Sequence, residues 1–451
     1  MNECFNIIAD INILINNFVW GPPMLLLLLG TGIYFTVRTG FFQIRYFRYI
    51  LNSTIFSLFK NKKKPTKGAI TPFQALTTAL ASTVGTGNIV GVATAIAIGG
   101  PGSIFWLWLS AFFGMMTKYS EILLSIKFRK RNDEGDFVGG PMYYITDGLK
   151  MKWLGVLFAI FGLFASFGIG NIAQINSIAL AVNSSLNIDP LATGIVVAVL
   201  ISFIIVGGVK RIAQTTEKLV PYMIIFYFAI TLVVLIANIK NIPSAFIIIF
   251  SHAFKKTAAV GGFAGSAIIL TIKSGVSKGI FSNEAGLGSS PIAHAAADTG
   301  HPVNQAMWGI FEVFIVTVIV CTSTALVIIT TGVWNSGLQG VELTISAFST
   351  VFPTFAPHAI TISIFFFAFS TLVSWSYYGE KCLEYLVNSS RLNILYKLIY
   401  SAVVVIGATS DLSLVWVLSD TLNGLMAIPN LIGILGLSGV VIKTTKNYFH
   451  F

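Results

Sequence analysis

The chain has 451 residues, of which 55% are hydrophobic and only 10% charged, with a formal net charge of +11 and a mean hydropathy of +0.82. That composition excludes an ordinary soluble domain, and recurring apolar runs of about 18 residues or more mark a polytopic membrane protein. The basic excess lies in loops between those runs, where it reads as a topology signal rather than a nucleic-acid surface.

The runs predict an all-α protein with about eleven membrane spans, at approximately 18–37, 71–98, 101–127, 153–183, 190–208, 216–239, 258–289, 304–332, 357–387, 393–409 and 412–442. No stretch joins a basic segment and a short apolar core to a small-residue cleavage site, so the first span is expected to be retained. Arg38, Arg45, Arg48, Lys60, Lys62, Lys63, Lys64 and Lys67 crowd the first loop, and Lys127, Arg129, Lys130, Arg131, Lys150 and Lys152 the third. Both loops should be cytoplasmic, with the N-terminus outside and the C-terminus inside, leaving Lys240, Lys255 and Lys256 on the outer side. The cysteines Cys4, Cys321 and Cys382 provide neither a disulfide framework nor metal-ligand spacing.

The second span is interrupted by Ala81-Ser82-Thr83-Val84-Gly85-Thr86-Gly87-Asn88. Inside a bilayer every backbone N–H and C=O needs a partner, so such a string is tolerated only where it lines a polar cavity or binds something. Unwinding there frees N–H groups at the start of the second half-helix, which suit a carboxylate, and carbonyls at the end of the first, which suit a cation. A Gly-x-x-x-Gly packing face through Gly87 and Gly91 is the competing explanation. A matching break is expected about 190 residues later at Lys273-Ser274-Gly275-Val276-Ser277-Lys278-Gly279, since paired broken helices are a habit of secondary transporters. The spans then divide into one extra helix (18–37), a first repeat (71–239) and an inverted second repeat (258–442) within one transmembrane domain.

Other polar groups lie at membrane depth. The fourth span carries Gly168, Gly170, Asn171, Gln174 and Asn176; Asn171 and Gln174 are three residues apart and can share one helix face, where they bind a solute or glue helices together. Ser370, Thr371 and Ser374 offer hard oxygens to a small cation, or bond back to their own helix, with Trp375 one step beyond to cap a side-chain pocket. Glu312 is the most deeply placed acid, ahead of Glu121 and Asp420. Glu284, after the second expected break, is assigned to capping or latching an inner gate. There is no phosphate loop and no hydrolase string, which argues against ATP-driven transport and against an enzyme.

Longer strings carry a resemblance. Thr71-Pro72-Phe73-Gln74-Ala75, Gly87-Asn88-Ile89, Gly99-Gly100-Pro101-Gly102-Ser103-Ile104-Phe105-Trp106-Leu107-Trp108-Leu109, Phe281-Ser282-Asn283-Glu284-Ala285-Gly286-Leu287-Gly288-Ser289, Ala293-His294-Ala295-Ala296 and Trp375-Ser376-Tyr377-Tyr378-Gly379-Glu380 resemble the alanine or glycine:cation symporters. Leu107 stands where that family usually has Met, and Lys278 where it usually has Arg, which removes a bidentate fork from the inner gate. The resemblance implies the leucine-transporter type of fold, a prokaryotic inner membrane, and sodium-coupled uptake of a small neutral amino acid. By that analogy Ala81, Val84, Ser370 and Thr371 would bind sodium, the coupling ion, with no resident cofactor. Gly85, Thr86, Gly87 and Asn88 would hold the carboxylate, and Gln174, Ser274, Gly275, Val276 and Trp375 would surround the amino group and side chain. A proton-coupled carrier working through Glu312, and a sensor that binds an amino acid without moving it, are the alternatives.

Overall fold

The computed structural model describes residues 2–59, 65–254, 264–410 and 412–449, with the backbone alone for 2–10, 59, 264–267 and 412–419. Lys60, Lys62, Lys63, Lys64, Lys255, Lys256 and the start of the span expected at 258 lie outside the described residues. The chain is built of helices: α1 (Asn2–Val19), α2 (Pro22–Arg38), α3 (Pro72–Thr83), α4 (Val90–Gly99), α5 (Ser103–Lys127), α6 (Lys152–Leu186), α7 (Pro190–Ile205) and α8 (Gly208–Ala237) make the first part. After it come α9 (Ile242–Phe254), α10 (Ala264–Asn283), α11 (Pro302–Thr330), α12 (Gly340–Ser349), α13 (Ala356–Val387), α14 (Asn393–Thr409), α15 (Leu412–Gly436) and α16 (Ser438–Phe449).

Among the described residues six stretches are long and apolar enough to cross a membrane: Ile11–Arg38, α6, α8, α11, α13 and Ser390–Thr409. Asp420–Gly436 and Ser438–Phe449, bent by 56° against each other, make a seventh if taken as one. The other expected spans fall on helices that are shorter, such as α7, or split, such as α3 and α4, or that carry lysines, such as α5 and α10. The short helices α9 and α12 fall between expected spans.

Sequence chemistry sets the start of α3. Thr71 caps it by accepting from the Gln74 amide at 3.1 Å, the Gln74 side chain accepts from the Thr71 amide at 3.0 Å, and Pro72 occupies the first turn. The first expected break is present, between Thr83 and Val90.

The second is displaced. Residues 273–279 are continuous helix within α10, which runs on to Asn283. The small residues there serve close packing: a side chain at Gly275 would overlap the Ser103 carbonyl and one at Gly279 the Ser110 hydroxyl, both on α5. The chain leaves the helix only at Glu284 (φ +54°), and Gly286 (φ +93°) and Gly288 (φ +81°) continue the left-handed turn. A short helix, Pro291–His294, follows. The two broken segments are then tied together: the Ile70 amide donates to the Ala296 carbonyl at 3.0 Å, and the Asp298 amide to the Ile70 carbonyl at 2.8 Å.

Candidate functional site

Gly85 ends α3 by turning extended (φ −116°, ψ −164°), and Thr86–Asn88 form one tight turn before α4. Such a break strands backbone carbonyls in a dry interior, where each needs a donor. Asn88 supplies it: its Nδ2 donates to the Thr83 carbonyl at 2.9 Å and to the Gly85 carbonyl at 3.3 Å. Its Oδ1 in turn accepts from the Ser282 hydroxyl and from the Cys321 thiol at 3.1 Å, and its own carbonyl accepts from the Thr324 hydroxyl at 2.9 Å. The side chain expected at the carboxylate is therefore wholly buried and spent on binding the break to α10 and α11.

α13 runs alongside the break. Its Ser370 and Thr371 hydroxyls lie 3.2 Å and 3.1 Å from the Ala81 carbonyl, and each is also 2.9 Å from the Phe367 carbonyl of its own helix. Each hydroxyl has one hydrogen for two carbonyls. With those hydrogens turned to Phe367, both hydroxyl oxygens offer lone pairs beside the Ala81 carbonyl, a set that suits a hard cation. Val84 is buried beside them, its amide donating to the Leu80 carbonyl at 2.7 Å; among the described residues nothing brings its carbonyl into that set.

On the other side of Gly85 lies a cavity lined by Ser82, Thr83, Gly85, Thr86, Gly87, Ile169, Gln174, Phe281, Glu284, Thr371, Trp375 and Asn423. Among the described residues no acceptor meets the N–H groups of Gly85, Thr86 or Gly87. Gly85 packs closely here, since a Cβ there would lie 2.9 Å from the Thr371 hydroxyl and push it aside. A π-helical turn at Gly168–Ile172 of α6 frees the Ile169 carbonyl, to which Gln174 Nε2 donates at 3.0 Å. Gln174 Oε1 meets the Thr86 hydroxyl at 3.5 Å. The Trp375 ring rests on Gly170, where a side chain would collide with it.

The free space amounts to about 20 Å³, room for about one water molecule. Phe281 lies at its edge: the ring is 2.9 Å from where a Gly87 Cβ would be, and with Thr86 and Gly87 it also lines a wider cavity of about 810 Å³.

Of the residues expected at the site, the cavity gathers Gly85, Thr86, Gly87, Gln174, Thr371 and Trp375, with Ala81 and Ser370 adjoining. Ser274, Gly275 and Val276 are elsewhere: Ser274 donates to the Ala95 carbonyl at 3.3 Å, Gly275 abuts Ser103, and Val276 is buried in an apolar cluster with α5. Their place is taken by Phe281 and Glu284, seven to ten residues further on. The turn-forming Gly286 and Gly288 behind them were the available signal.

Glu312 stands outside the cavity. Its carboxylate lies 3.3 Å from Lys118 Nζ and 3.2 Å from His294 Nε2, all three fully buried. Lys118 also donates to the Ser290 hydroxyl at 2.7 Å, and Gln305 Nε2 lies 2.8 Å from His294 Nδ1. With Gln305 donating, the ring's other nitrogen carries its proton toward Glu312. This network pins the second break to α5 and α11.

The model of the sodium:alanine symporter family matches residues 5–451. A Methanococcus maripaludis protein named sodium/alanine symporter AgcS is 50% identical over 442 residues, 96% of each chain. The chain belongs to the sodium:alanine symporter family. It is thus an amino-acid:cation symporter and a multi-pass membrane protein. Another relative of the symporter, from Bacillus subtilis, is named a probable sodium/glutamine symporter, GlnT; it is 39% identical over 96% of this chain and 89% of its own. Among solved structures, a mutant of the Eremococcus coleocola manganese transporter superposes with a TM-score of 0.51 over 82% of this chain and 78% of its own. At 13% identity it is similar in fold alone.

Proposed function

We propose that the protein takes up a small neutral amino acid, alanine or glycine, together with sodium by alternating access across a prokaryotic inner membrane, its N-terminus outside and its C-terminus in the cytoplasm. The observation that carries this reading is the pairing, on the two sides of Gly85, of three unengaged N–H groups in a cavity and three converging oxygens. N–H groups at a half-helix start suit the substrate carboxylate. Neutral oxygens suit a hard monovalent ion better than a proton, which needs a titratable carrier. The oxygen separations agree: hard cations near calcium's size take ligands at roughly 2.3–2.6 Å, and ligands about 80° apart then lie about 3.1 Å from each other. A cavity closed down to about 20 Å³ favours a cargo of very few heavy atoms, admitted when Phe281 moves. The relative's name, sodium/alanine symporter, points the same way. The helices break at Thr83 and at Asn283, so the proposal keeps an inverted five-plus-five arrangement with its second break at Glu284.

The test is uptake of labelled alanine into proteoliposomes under an imposed sodium gradient, with glycine and glutamine as competitors. Accumulation that needs sodium and is displaced by glycine but not glutamine is the expected result. Uptake driven by a pH gradient in sodium-free buffer would transfer the coupling to a proton, and binding without accumulation would make the protein a sensor.

A further inference from the structure

We propose that the Glu284 carboxylate is the anionic wall of the cavity and pairs with the ammonium group of the bound amino acid. The inference rests on the proposed uptake of a neutral amino acid and adds the contact for its positive end. Glu284 is 5% exposed and lines the same cavity as the open N–H groups of Gly85, Thr86 and Gly87. Its Oε2 accepts from the Ser289 hydroxyl and, at 3.5 Å, from the Ser82 hydroxyl, with the Trp375 indole a further donor in reach. Those donors are neutral. Among the described residues no Lys, Arg or His forms an ion pair with Glu284.

The lysine whose field reaches it, Lys118, is already bound to Glu312 and Ser290. Of the neighbouring buried carboxylates Lys118 contacts Glu312, while Glu121 accepts from the Gly286 amide at 3.0 Å and from Asn430. Lys118 is thus committed to Glu312 and Ser290, and a buried carboxylate without a counter-charge of its own is costly. Sodium is accounted for by the oxygens beyond Gly85, so the remaining cation is the one the cargo brings. The left-handed backbone of Glu284, followed by Gly286 and Gly288, sets the carboxylate by a turn rather than by a flexible helix face. A zwitterion then lies with its carboxylate on the N–H groups of the first break and its ammonium on the acid of the second.

Lactate, in which a hydroxyl replaces the ammonium group, is the probe. Sodium-driven alanine uptake and its inhibition by lactate are measured on the full-length protein in proteoliposomes, with sodium titrated at fixed alanine. Glu284→Gln should raise the alanine KM about ten-fold or more and narrow the preference for alanine over lactate. Glu284→Asp, which keeps the charge but shortens its reach, should weaken alanine while keeping the preference. Wild-type KM and selectivity in Glu284→Gln overturn the proposal. So does a reduced sodium Hill coefficient with unchanged alanine KM, which gives the carboxylate to an ion. If Glu284→Gln yields no folded protein, Glu284→Asp decides: an unaltered KM overturns the pairing. Wild-type protein without sodium-driven uptake would instead end the proposed function itself.

Discussion

Replacing Asn88 by alanine separates a structural tie from a substrate contact. The side chain makes two donor contacts, to the Thr83 and Gly85 carbonyls, and accepts from Ser282 and Cys321. In Asn88→Ala the Gly85 carbonyl keeps the Asn88 amide, at 3.1 Å, but the Thr83 carbonyl loses its donor. An orphaned buried carbonyl costs about 1–3 kcal/mol, and loss of the contact to Ser282 adds about 0.5–1.5 kcal/mol. Folding or packing of the broken helix should therefore weaken by about 1.5–4.5 kcal/mol. Thermal unfolding of purified protein in detergent, with and without alanine, reads this directly. The expected result is a lower midpoint without ligand, with a stabilising increment from alanine close to that of the wild type. A variant that melts like the wild type yet no longer responds to alanine would refute the structural role and return Asn88 to the carboxylate.

Thr371→Ala removes one of the three converging oxygens and should raise the sodium concentration for half-maximal uptake about ten-fold, with little change in alanine KM at saturating sodium; an unchanged sodium titration excludes Thr371 as a ligand. Trp375→Ala deletes a ring resting on Gly170 and edge-on to Tyr378 at 5.5 Å, so valine and leucine should become competitors of alanine uptake, at a stability cost of about 3–5 kcal/mol. Selectivity identical to the wild type would confine Trp375 to packing. Gly279→Val should lower the melting midpoint sharply, because its Cβ meets the Ser110 hydroxyl on a neighbouring helix and overpacking costs about 1–3 kcal/mol; a wild-type midpoint would refute the close approach of α10 and α5.

How much of this was legible in the sequence depended on what small residues are for. Gly85-Thr86-Gly87-Asn88 announced a break correctly, because glycine and threonine leave little to hold a helix once Asn88 offers the freed carbonyls another donor. Ser274-Gly275-Val276-Ser277-Lys278-Gly279 has nearly the same composition and is helix throughout. Small side chains in a membrane either permit an unwound backbone or let two helices touch, and composition does not distinguish the two uses. The Gly-x-x-x-Gly contact weighed for Gly87 and Gly91 occurs instead at Gly275 and Gly279, while Gly87 and Gly91 face a cavity. The true second break carried a different mark, glycines at alternate positions behind Asn283 and Glu284, where positive φ is needed.

Polar residues at membrane depth posed the harder question, since the sequence displays a polar group but not whether its hydrogen-bonding capacity is already used. Asn88 and Glu312 looked functional and are already engaged, one with the ends of a broken helix and the other with Lys118 and His294. The open groups are quieter ones: the amides of Gly85, Thr86 and Gly87, and an acid whose hydrogen-bond donors among the described residues are neutral. Buried polarity left open costs stability, and a fold keeps it where a ligand repays the cost on binding. Commitment therefore ranks these residues better than polarity does. Asn88→Ala should be read first in the melting curve, and Glu284→Gln first in the choice between alanine and lactate.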